Sequence, residues 1–235
     1  MKTYLWQITA KTNLHVGNEN STSYGIIDKA VQRDVLTGLP CINSSSLKGA
    51  INEYCCSVGM QEQERKDIFG SDKKGNKSDS KKGQAIFYDS HILYLPVQDD
   101  VNLYRYVTSD SVFAQLKTRL DMFGIECKNL MNTFKLEKEH SIESIDPKRF
   151  ILYCNDENLP IIARNVLEGG ESKNLWYEQV VPAETVFYTI IQEPSDILKN
   201  TINGNFIQIG ANATIGYGYC RFDLIAEYDE NEGEK

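Results

Sequence analysis

Residues that could act on a phosphate occur early in the chain. Asp28 lies in the stretch 13–40, which is rich in Gly, Asn, Ser and Thr and lacks periodicity, and this predicts a long loop. A loop carboxylate can approach a bound substrate as a general base or as a metal ligand, and His15 could transfer protons. Both residue types also serve as turn formers or as hydrogen-bonded groups at strand ends. Residue type alone therefore leaves both interpretations open.

A glycine cluster near the C-terminus is the second candidate. The stretch NFIQIGANATIGYGYCRF (205–222) contains Gly210, Gly216 and Gly218. It lacks the Lys-Ser or Lys-Thr of a Walker loop, and its glycines run into a strand pattern, which excludes a dinucleotide fingerprint. The pattern predicts a strand, a glycine loop and a second strand. Such a loop is either a bulged hairpin or a place where backbone N–H groups approach an extended phosphate chain.

The third candidate is SSSLKG (44–49), which resembles a helix N-terminus that carries a lysine. Its serines are N-cap candidates, Leu47 and Ile51 share one face, and Gly59 predicts the end of the helix. Helix N-termini attract phosphate groups because unpaired N–H groups point outward there. Capping alone would explain the same residues.

The elements that must position these candidates alternate between strands and helices. The clearest helix covers 109–124, with an apolar stripe and a terminal glycine, and EGGESKN (168–174) has the composition of a hairpin turn. This alternation predicts an α+β fold with a largely antiparallel sheet. Predicted strands cover 3–10, 85–97, 149–154, 159–167, 175–181, 184–192, 206–209 and 218–228, and a short helix covers 194–204.

Composition narrows the classes of protein without choosing one. The chain has 235 residues and a net charge of −8, which argues against a nucleic-acid ligand unless basic residues cluster locally. They do at 65–82, where seven basic residues face three acidic ones, whereas the tail 229–235 is acidic. The start lacks a signal-peptide pattern and no apolar run is long enough to span a membrane. Six cysteines without a C-x-x-C pair predict reduced thiols, so we expect a cytoplasmic protein with no membrane partner.

Taken in order, the motifs resemble a known family. LHVG, GIIDKAVQRD, TGLPCINSSSLKGAI, LWYEQ and QIGANATIGYG run from end to end of the chain in the order found in the RAMP superfamily of CRISPR proteins. Within it, the chain is similar to the repeated backbone subunit of the type III-B (Cmr) effector complex. The resemblance implies one RAMP domain over 1–235 with a ferredoxin-like, RRM-related core. It also implies a thumb hairpin at about 163–179 and finger insertions, including a basic mobile one at about 60–83.

The resemblance also implies partners and roles. Copies would stack head to tail along a guide crRNA with other Cmr subunits, and target RNA would be read by base pairing with the guide. Asp28 would be the cleaving residue, as metal ligand or general base, with a divalent metal, Mg²⁺ or Mn²⁺, as cofactor. Supporting catalytic positions would be His15, Tyr177 and Glu178. RNA-binding positions would be Arg33, Ser45, Ser46, Lys48, Trp176, Gly210, Asn212, Thr214, Gly216 and Gly218.

Departures from the family pattern and two other functions stay open at this point. Ala211 replaces a glycine and would be strained at a positive φ, and Gln179 replaces a glutamate, which weakens a mechanism that needs two carboxylates. Ala30 replaces a proline, which predicts a less stiff loop around Asp28. The first alternative is a non-catalytic RNA-binding filament subunit. The second is a RAMP endoribonuclease that matures guide RNA, commonly through a histidine.

Overall fold

The fold comes from a computed structural model. It describes residues 1–17, 27–71, 81–126, 130–136 and 140–229.

Strands outnumber helices, and most of them join one sheet. The strands are β1 (Lys2–Ala10), β2 (Cys41–Ile42), β3 (Ile86–Phe87), β4 (Ser90–Asp99), β5 (Leu103–Thr108), β6 (Ile142–Ser144), β7 (Ile161–Glu168), β8 (Glu171–Gln179), β9 (Val186–Glu193), β10 (Phe206–Gln208) and β11 (Tyr219–Asp229). The helices are α1 (Ser44–Ser57), α2 (Glu62–Phe69), α3 (Asp110–Met122), α4 (Leu130–Thr133), α5 (Pro147–Cys154) and α6 (Ile197–Ile202).

The main sheet has the order β10-β11-β1-β9-β4-β5-β6, with β2 beside β4 and β3 beside β9. Among the described strands, every pair is antiparallel except β5 with β6. β1 and β9 lie at the centre, and nearly all their residues are buried, including polar ones such as Gln7 and Thr189. Helix α1 packs Leu47, Ile51 and Cys55 into the core. The predicted α+β class with a largely antiparallel sheet is confirmed.

One predicted strand is wrong. RFILYC (149–154) belongs to helix α5, because Asp146 accepts a hydrogen bond from the Lys148 N–H at 2.9 Å and Pro147 occupies the first turn. Phe150 and Cys154 then fall on one helical face and are buried. The apolar run resembles a strand, but the capping residues before it decide the conformation.

Strands β7 and β8 form a hairpin at the position predicted for the thumb, and this element, which we call the thumb hairpin, is a sheet of its own. β7 and β8 pair with each other and with no other named strand among the described residues, and Gly169 and Gly170 form the turn, both at positive φ. Most of its residues are exposed, whereas Glu178 and Gln179 at its base are buried. The hairpin is therefore attached to the body through the end of β8.

The predicted insertion at 60–83 contains structure that the sequence reading did not anticipate. Helix α2 occupies residues 62–69, and its Ile68 and Phe69 are buried against the core. Residues 72–80 of that insertion and 230–235 of the acidic tail lie outside the described residues. Within the described residues, no helix is long and apolar enough to cross a membrane. The five described cysteines are free thiols, as expected.

Candidate functional site

Asp28 lies at the surface against the base of the thumb hairpin. Asp28 is exposed, and one of its carboxylate oxygens accepts a hydrogen bond from the Tyr177 N–H at 2.7 Å. The Asp28 and Lys29 N–H groups both donate to the Tyr177 carbonyl, and the Gln179 N–H donates to the Lys29 carbonyl. Residues 28–29 therefore add a short parallel segment to β8. This backbone pairing holds the carboxylate in a defined place while leaving it open to solvent.

Glu178 is the next residue of β8 and has the opposite environment. It is only 1 % exposed, and its carboxylate accepts a hydrogen bond from the Asn212 side-chain amide. Arg164 Nε lies 3.6 Å from one of its oxygens and His15 Nδ1 lies 3.6 Å from the other. A buried carboxylate is tolerated only when it is paired in this way. Glu178 is thus surrounded by partners from three segments of the chain.

His15 is buried beneath the same site. Its Nδ1 lies 2.7 Å from the Gln179 carbonyl oxygen, and since a carbonyl only accepts, Nδ1 carries the proton. The ring is 3 % exposed. This buried position keeps His15 away from solvent, whereas the Asp28 carboxylate faces it.

Gln179 explains one departure from the family pattern. Its side-chain oxygen accepts from the Val31 N–H, while its amide nitrogen donates to the carbonyl and the carboxylate of Asp156. A glutamate could not donate to Asp156 at this position. The amide therefore helps to fix the segment that carries Asp28, and nothing in this arrangement requires a second carboxylate at 179.

The predicted RNA-binding residue Arg33 directs its guanidinium at groups of its own chain. Its guanidinium donates to the carbonyls of Gly38 and Cys154 and to the Asp156 carboxylate. It therefore fastens the turn 34–38 to the end of α5. In this structure Arg33 stabilises the loop and does not present free donors to RNA.

The glycine loop splits into tethered ends and an open middle. A Cβ on Gly210 would lie 2.2 Å from the His15 carbonyl oxygen, and one on Gly218 would lie 2.0 Å from that of Ile209, so both glycines allow close approach of protein backbone. A Cβ on Gly216 would meet nothing within 4 Å. Gly218 is buried, whereas Gly210, Thr214 and Gly216 are exposed, and Gly216 has the most open surroundings of the three glycines.

Ala211 does not have the positive φ at which it would be strained. The non-glycine residue at positive φ in this loop is Asn212, at 67°, and asparagine tolerates that region better than most residues. Ala211 instead donates its N–H to the His15 carbonyl at 2.9 Å. The chain therefore dispenses with the second glycine without a backbone cost.

The N-terminus of α1 is occupied by the chain itself. The N-cap is Asn43 rather than a serine, and the Ser44 N–H donates to the Asp89 carboxylate at 2.6 Å. Ser45 is exposed, Ser46 accepts from the Gln32 side chain, and Lys48 is half-buried. The prediction of a serine N-cap is wrong, because Asn43 holds that position. Since the Asp89 carboxylate already binds the Ser44 N–H, fewer free N–H groups remain for a phosphate here.

A cavity nevertheless links this helix with the glycine loop. It measures about 560 Å³ and lies between α1 and β10. Ser46 and Gly210, which the sequence assigned separately to RNA binding, both line it, together with the aromatic rings of Tyr54, Phe206 and Tyr219. The fold therefore brings two predicted RNA-binding segments to one concave surface.

Three residues that the sequence reading did not single out complete the site. Arg164 lies opposite Trp176 in the hairpin register, and its guanidinium stacks 4.7 Å from the centre of the Tyr217 ring. Lys29 Nζ lies 5.2 Å from the centre of the Trp176 ring. Alternation along β7 and β8 could have placed Arg164 on the same face as Glu178, but its contact with Tyr217 depends on the fold.

The residues present fit a metal only if RNA supplies most of its ligands. Among the described residues, no group of three or more His, Cys, Asp or Glu side chains could hold a metal ion. Mg²⁺ commonly binds through one or two carboxylates together with substrate phosphates and water. The exposed Asp28 carboxylate matches that mode of binding, whereas a preformed protein cage does not exist in the described residues.

The fold described above is that of a known protein superfamily. The profile of the RAMP superfamily matches residues 7–221, and the chain belongs to that superfamily.

Particular relatives lie within the Cmr branch. The chain is 26% identical to "CRISPR system Cmr endoribonuclease Cmr4" of Pyrococcus furiosus, over 95% of this chain and 96% of the relative. The crystal structure of oligomeric Cmr4 from Pyrococcus furiosus superposes with a TM-score of 0.71 at 23% identity, covering 95% of this chain and 98% of the other. A chain of the type III-B Cmr-beta complex bound to cognate target RNA gives 0.72 at 20% identity, covering 95% and 97%. These structures share the fold of this chain.

Proposed function

We propose that this chain is the repeated backbone subunit of a type III-B CRISPR effector complex and that it cleaves target RNA at Asp28. Copies bind head to tail along a guide crRNA, contact the other subunits of the complex and hold the target that pairs with the guide. The observation that carries the proposal is the exposed Asp28 carboxylate, fixed by the Tyr177 N–H at the base of the thumb hairpin. The full-length relation to a Cmr endoribonuclease supports it.

RNA binding in this proposal does not depend on base identity. The exposed middle of the glycine loop, with Thr214 and Gly216, contacts the guide backbone, and the cavity between α1 and β10 lies beside it. Backbone and 2′-OH contacts suffice because sequence is read by base pairing. The net charge of −8 is compatible with this role, since only the groove that follows the RNA must attract phosphates.

Cleavage uses the target's own 2′-hydroxyl as the nucleophile. The 2′-oxygen attacks the adjacent phosphorus while the bond from phosphorus to the 5′-oxygen breaks. The departing 5′-oxygen takes a proton from water, so that a 2′,3′-cyclic phosphate and a 5′-hydroxyl result. Asp28 accepts the proton of the 2′-hydroxyl as general base, or it helps to hold a divalent cation. When bound, Mg²⁺ or Mn²⁺ would neutralise charge at the phosphate. His15 and Glu178 stay beneath the site and keep β8 and its neighbours in place.

The test compares two matched variants in the complex purified with its RNA. Asp28→Asn removes the charge and the basicity but keeps the shape, so target binding should persist while cleavage falls by about a hundredfold or more. Asp100→Asn changes an exposed carboxylate in the β4–β5 turn and should leave cleavage unchanged. Undiminished cutting by the Asp28→Asn complex at every site would rule out this assignment.

A non-catalytic filament subunit is the second candidate. The observation that favours it is that Asp28 has no cluster of metal-binding side chains around it within the described residues. If the wild-type complex with bound target shows no cleavage in Mg²⁺ or Mn²⁺, this second function replaces the first. The same assay with a chelator tests the proposed metal requirement.

A further inference from the structure

Asn212 is a predicted RNA-binding residue whose side chain points into the protein. Its backbone is left-handed, with φ 67°, and its carbonyl accepts hydrogen bonds from the Ile215 and Tyr217 N–H groups. Its side-chain amide donates to the Glu178 carboxylate, which can only accept. Asn212 therefore shapes the glycine loop and, with the same residue, fastens the loop to the base of the thumb hairpin.

Glu178 lies at the point of β8 where Asp28 is held. Its neighbour Tyr177 donates its N–H to the Asp28 carboxylate, and Lys29 forms a parallel bridge with Glu178 itself. Because the Glu178 side chain is directed into the protein, its partners fix the twist and height of the strand at this residue. The orientation of the Tyr177 N–H follows from that placement.

The glycine loop makes a second contact with the hairpin. Tyr217, near the other end of the loop, stacks on the Arg164 guanidinium at 4.7 Å. Between these two anchors, Thr214 and Gly216 are exposed. A ligand on the exposed turn would therefore act on a segment that is tied to β7 at one end and to β8 at the other.

We propose that Asn212 is a positioning residue that couples the glycine loop, through Glu178 and the Tyr177 N–H, to the Asp28 carboxylate. The inference rests on the proposed function, since it assigns the loop to guide RNA and Asp28 to cleavage. Guide RNA on the loop then stabilises the cleaving geometry although it does not contact Asp28. Cleavage of the target therefore depends on guide RNA being bound to the same subunit.

Asparagine suits this position for two independent reasons. Its short side chain tolerates a positive φ, which most residues avoid, and its amide supplies the donor that a buried carboxylate needs. Glycine would keep the backbone conformation and remove the donor. Aspartate would tolerate the conformation but place a second negative charge beside Glu178.

The first experiment uses Asn212→Gly in two settings. In the isolated full chain, hydrogen exchange of the Tyr177 amide should become about tenfold faster, because the strand is less firmly held where that amide meets Asp28. In the complex purified with its RNA, single-turnover cleavage should slow about tenfold while the Kd for target RNA stays within about twofold. Asn102→Gly, in an exposed turn far along the chain, is the matched control and should change neither value.

A paired variant separates positioning from general stability. Asn212→Asp alone should slow cleavage more than Asn212→Gly, since two carboxylates then repel each other. Adding Glu178→Gln restores one amide-to-carboxylate hydrogen bond with donor and acceptor exchanged. The double variant should recover cleavage to within about threefold of wild type and recover the slow exchange of the Tyr177 amide.

The outcomes distinguish this inference from the proposed function. Unchanged exchange of the Tyr177 amide in Asn212→Gly overturns the coupling, whatever happens to cleavage. Equal loss of target binding and cleavage also overturns it, because Asn212 would then be an RNA contact. Faster exchange together with full cleavage by Asp28→Asn overturns the proposed function and leaves the mechanical link intact.

Discussion

The inner and outer halves of the site are built from the same motifs but have opposite environments. The inner half comprises Glu178 and His15, which are buried, together with Gly210, whose missing side chain leaves room for the His15 carbonyl. The outer half comprises Asp28 and Gly216, which face solvent. Glu178 is on β8 and Asp28 is held against the same part of that strand, yet only the Asp28 carboxylate faces solvent. The difference shows that residues of one set of motifs can have different roles. Buried residues stabilise the structure, and exposed residues are the ones that a substrate can reach.

The strongest test of this division uses the two halves of the glycine loop. Gly210→Ala should lower the free energy of unfolding by about 4 kcal/mol, because its Cβ would overlap the His15 carbonyl and its φ is positive. Gly216→Ala has a positive φ but open space, so about 1 kcal/mol is expected. Urea unfolding of the isolated chain measures both. Equal losses would erase the distinction between tethered and open glycines.

The next largest difference should be between the contributions of the Glu178 and Asp28 carboxylates to stability. Glu178→Ala leaves Arg164 and His15 without their carboxylate partner and should cost about 3 kcal/mol of unfolding free energy. Asp28→Ala removes an exposed group and should cost less than about 1 kcal/mol. Thermal and urea unfolding provide the values. A larger loss for Asp28 would mean that its carboxylate is structural.

Acid should destabilise the fold away from the site. Burial, reinforced by the positive charge of Arg119, lowers the pKa of His91 to about 4, from 6.5 in its ordinary state. Between these values the unfolded chain binds a proton that the folded chain does not, so stability is present above pH 6.5 and falls as the pH drops. The loss from pH 7 to pH 5 should be roughly 2 kcal/mol. His91→Gln should reduce this slope in urea titrations, and an unchanged slope would assign the acid sensitivity elsewhere.

The smallest expected effect is on RNA binding, at the exposed face beside Asp28. Lys29 is exposed beside Asp28 and lies over the Trp176 ring, so it can contribute charge to RNA bound at this face. Lys29→Gln should weaken target-RNA binding by less than about 1 kcal/mol and reduce the salt dependence of the Kd by about one charge. Filter binding of the complex at several salt concentrations is the measurement. An unchanged salt dependence would mean that the RNA does not contact Lys29.

Much of the fold was predictable because its signals are local. The apolar stripe of 109–124, the central strands and the paired glycines of the hairpin turn all correspond to observed elements. RFILYC was misassigned because the five apolar and aromatic residues after Arg149 fit both helix and strand, and the decisive signal was the Asp146-Pro147 cap before them. Helix α2 was missed because its sequence is highly charged and only Ile68 and Phe69 are buried.

Several residues that the family resemblance assigned to one site do lie close together, but the environment of each could not be predicted. The motifs pointed to Asp28, Glu178, His15 and Asn212, and the structure brings these together around the base of the hairpin. Arg33 illustrates the limit, because a sequence shows an arginine but not that its donors are already bound to Asp156 and two carbonyls. Hydrogen-bond partners far apart in sequence cannot be read from spacing.

The sequence by itself determined the α+β class, the order of the motifs and the family to which they belong. These depend on local propensity, hydrophobic period and residue identity, which a linear chain carries in full. Only the tertiary structure decided that Asp89 fills the N-terminus of α1, that Gly210 and Gly218 serve protein backbone, and that Glu178 is buried while Asp28 is exposed. Those outcomes depend on which distant segments approach one another, because burial and pairing are properties of neighbours in space.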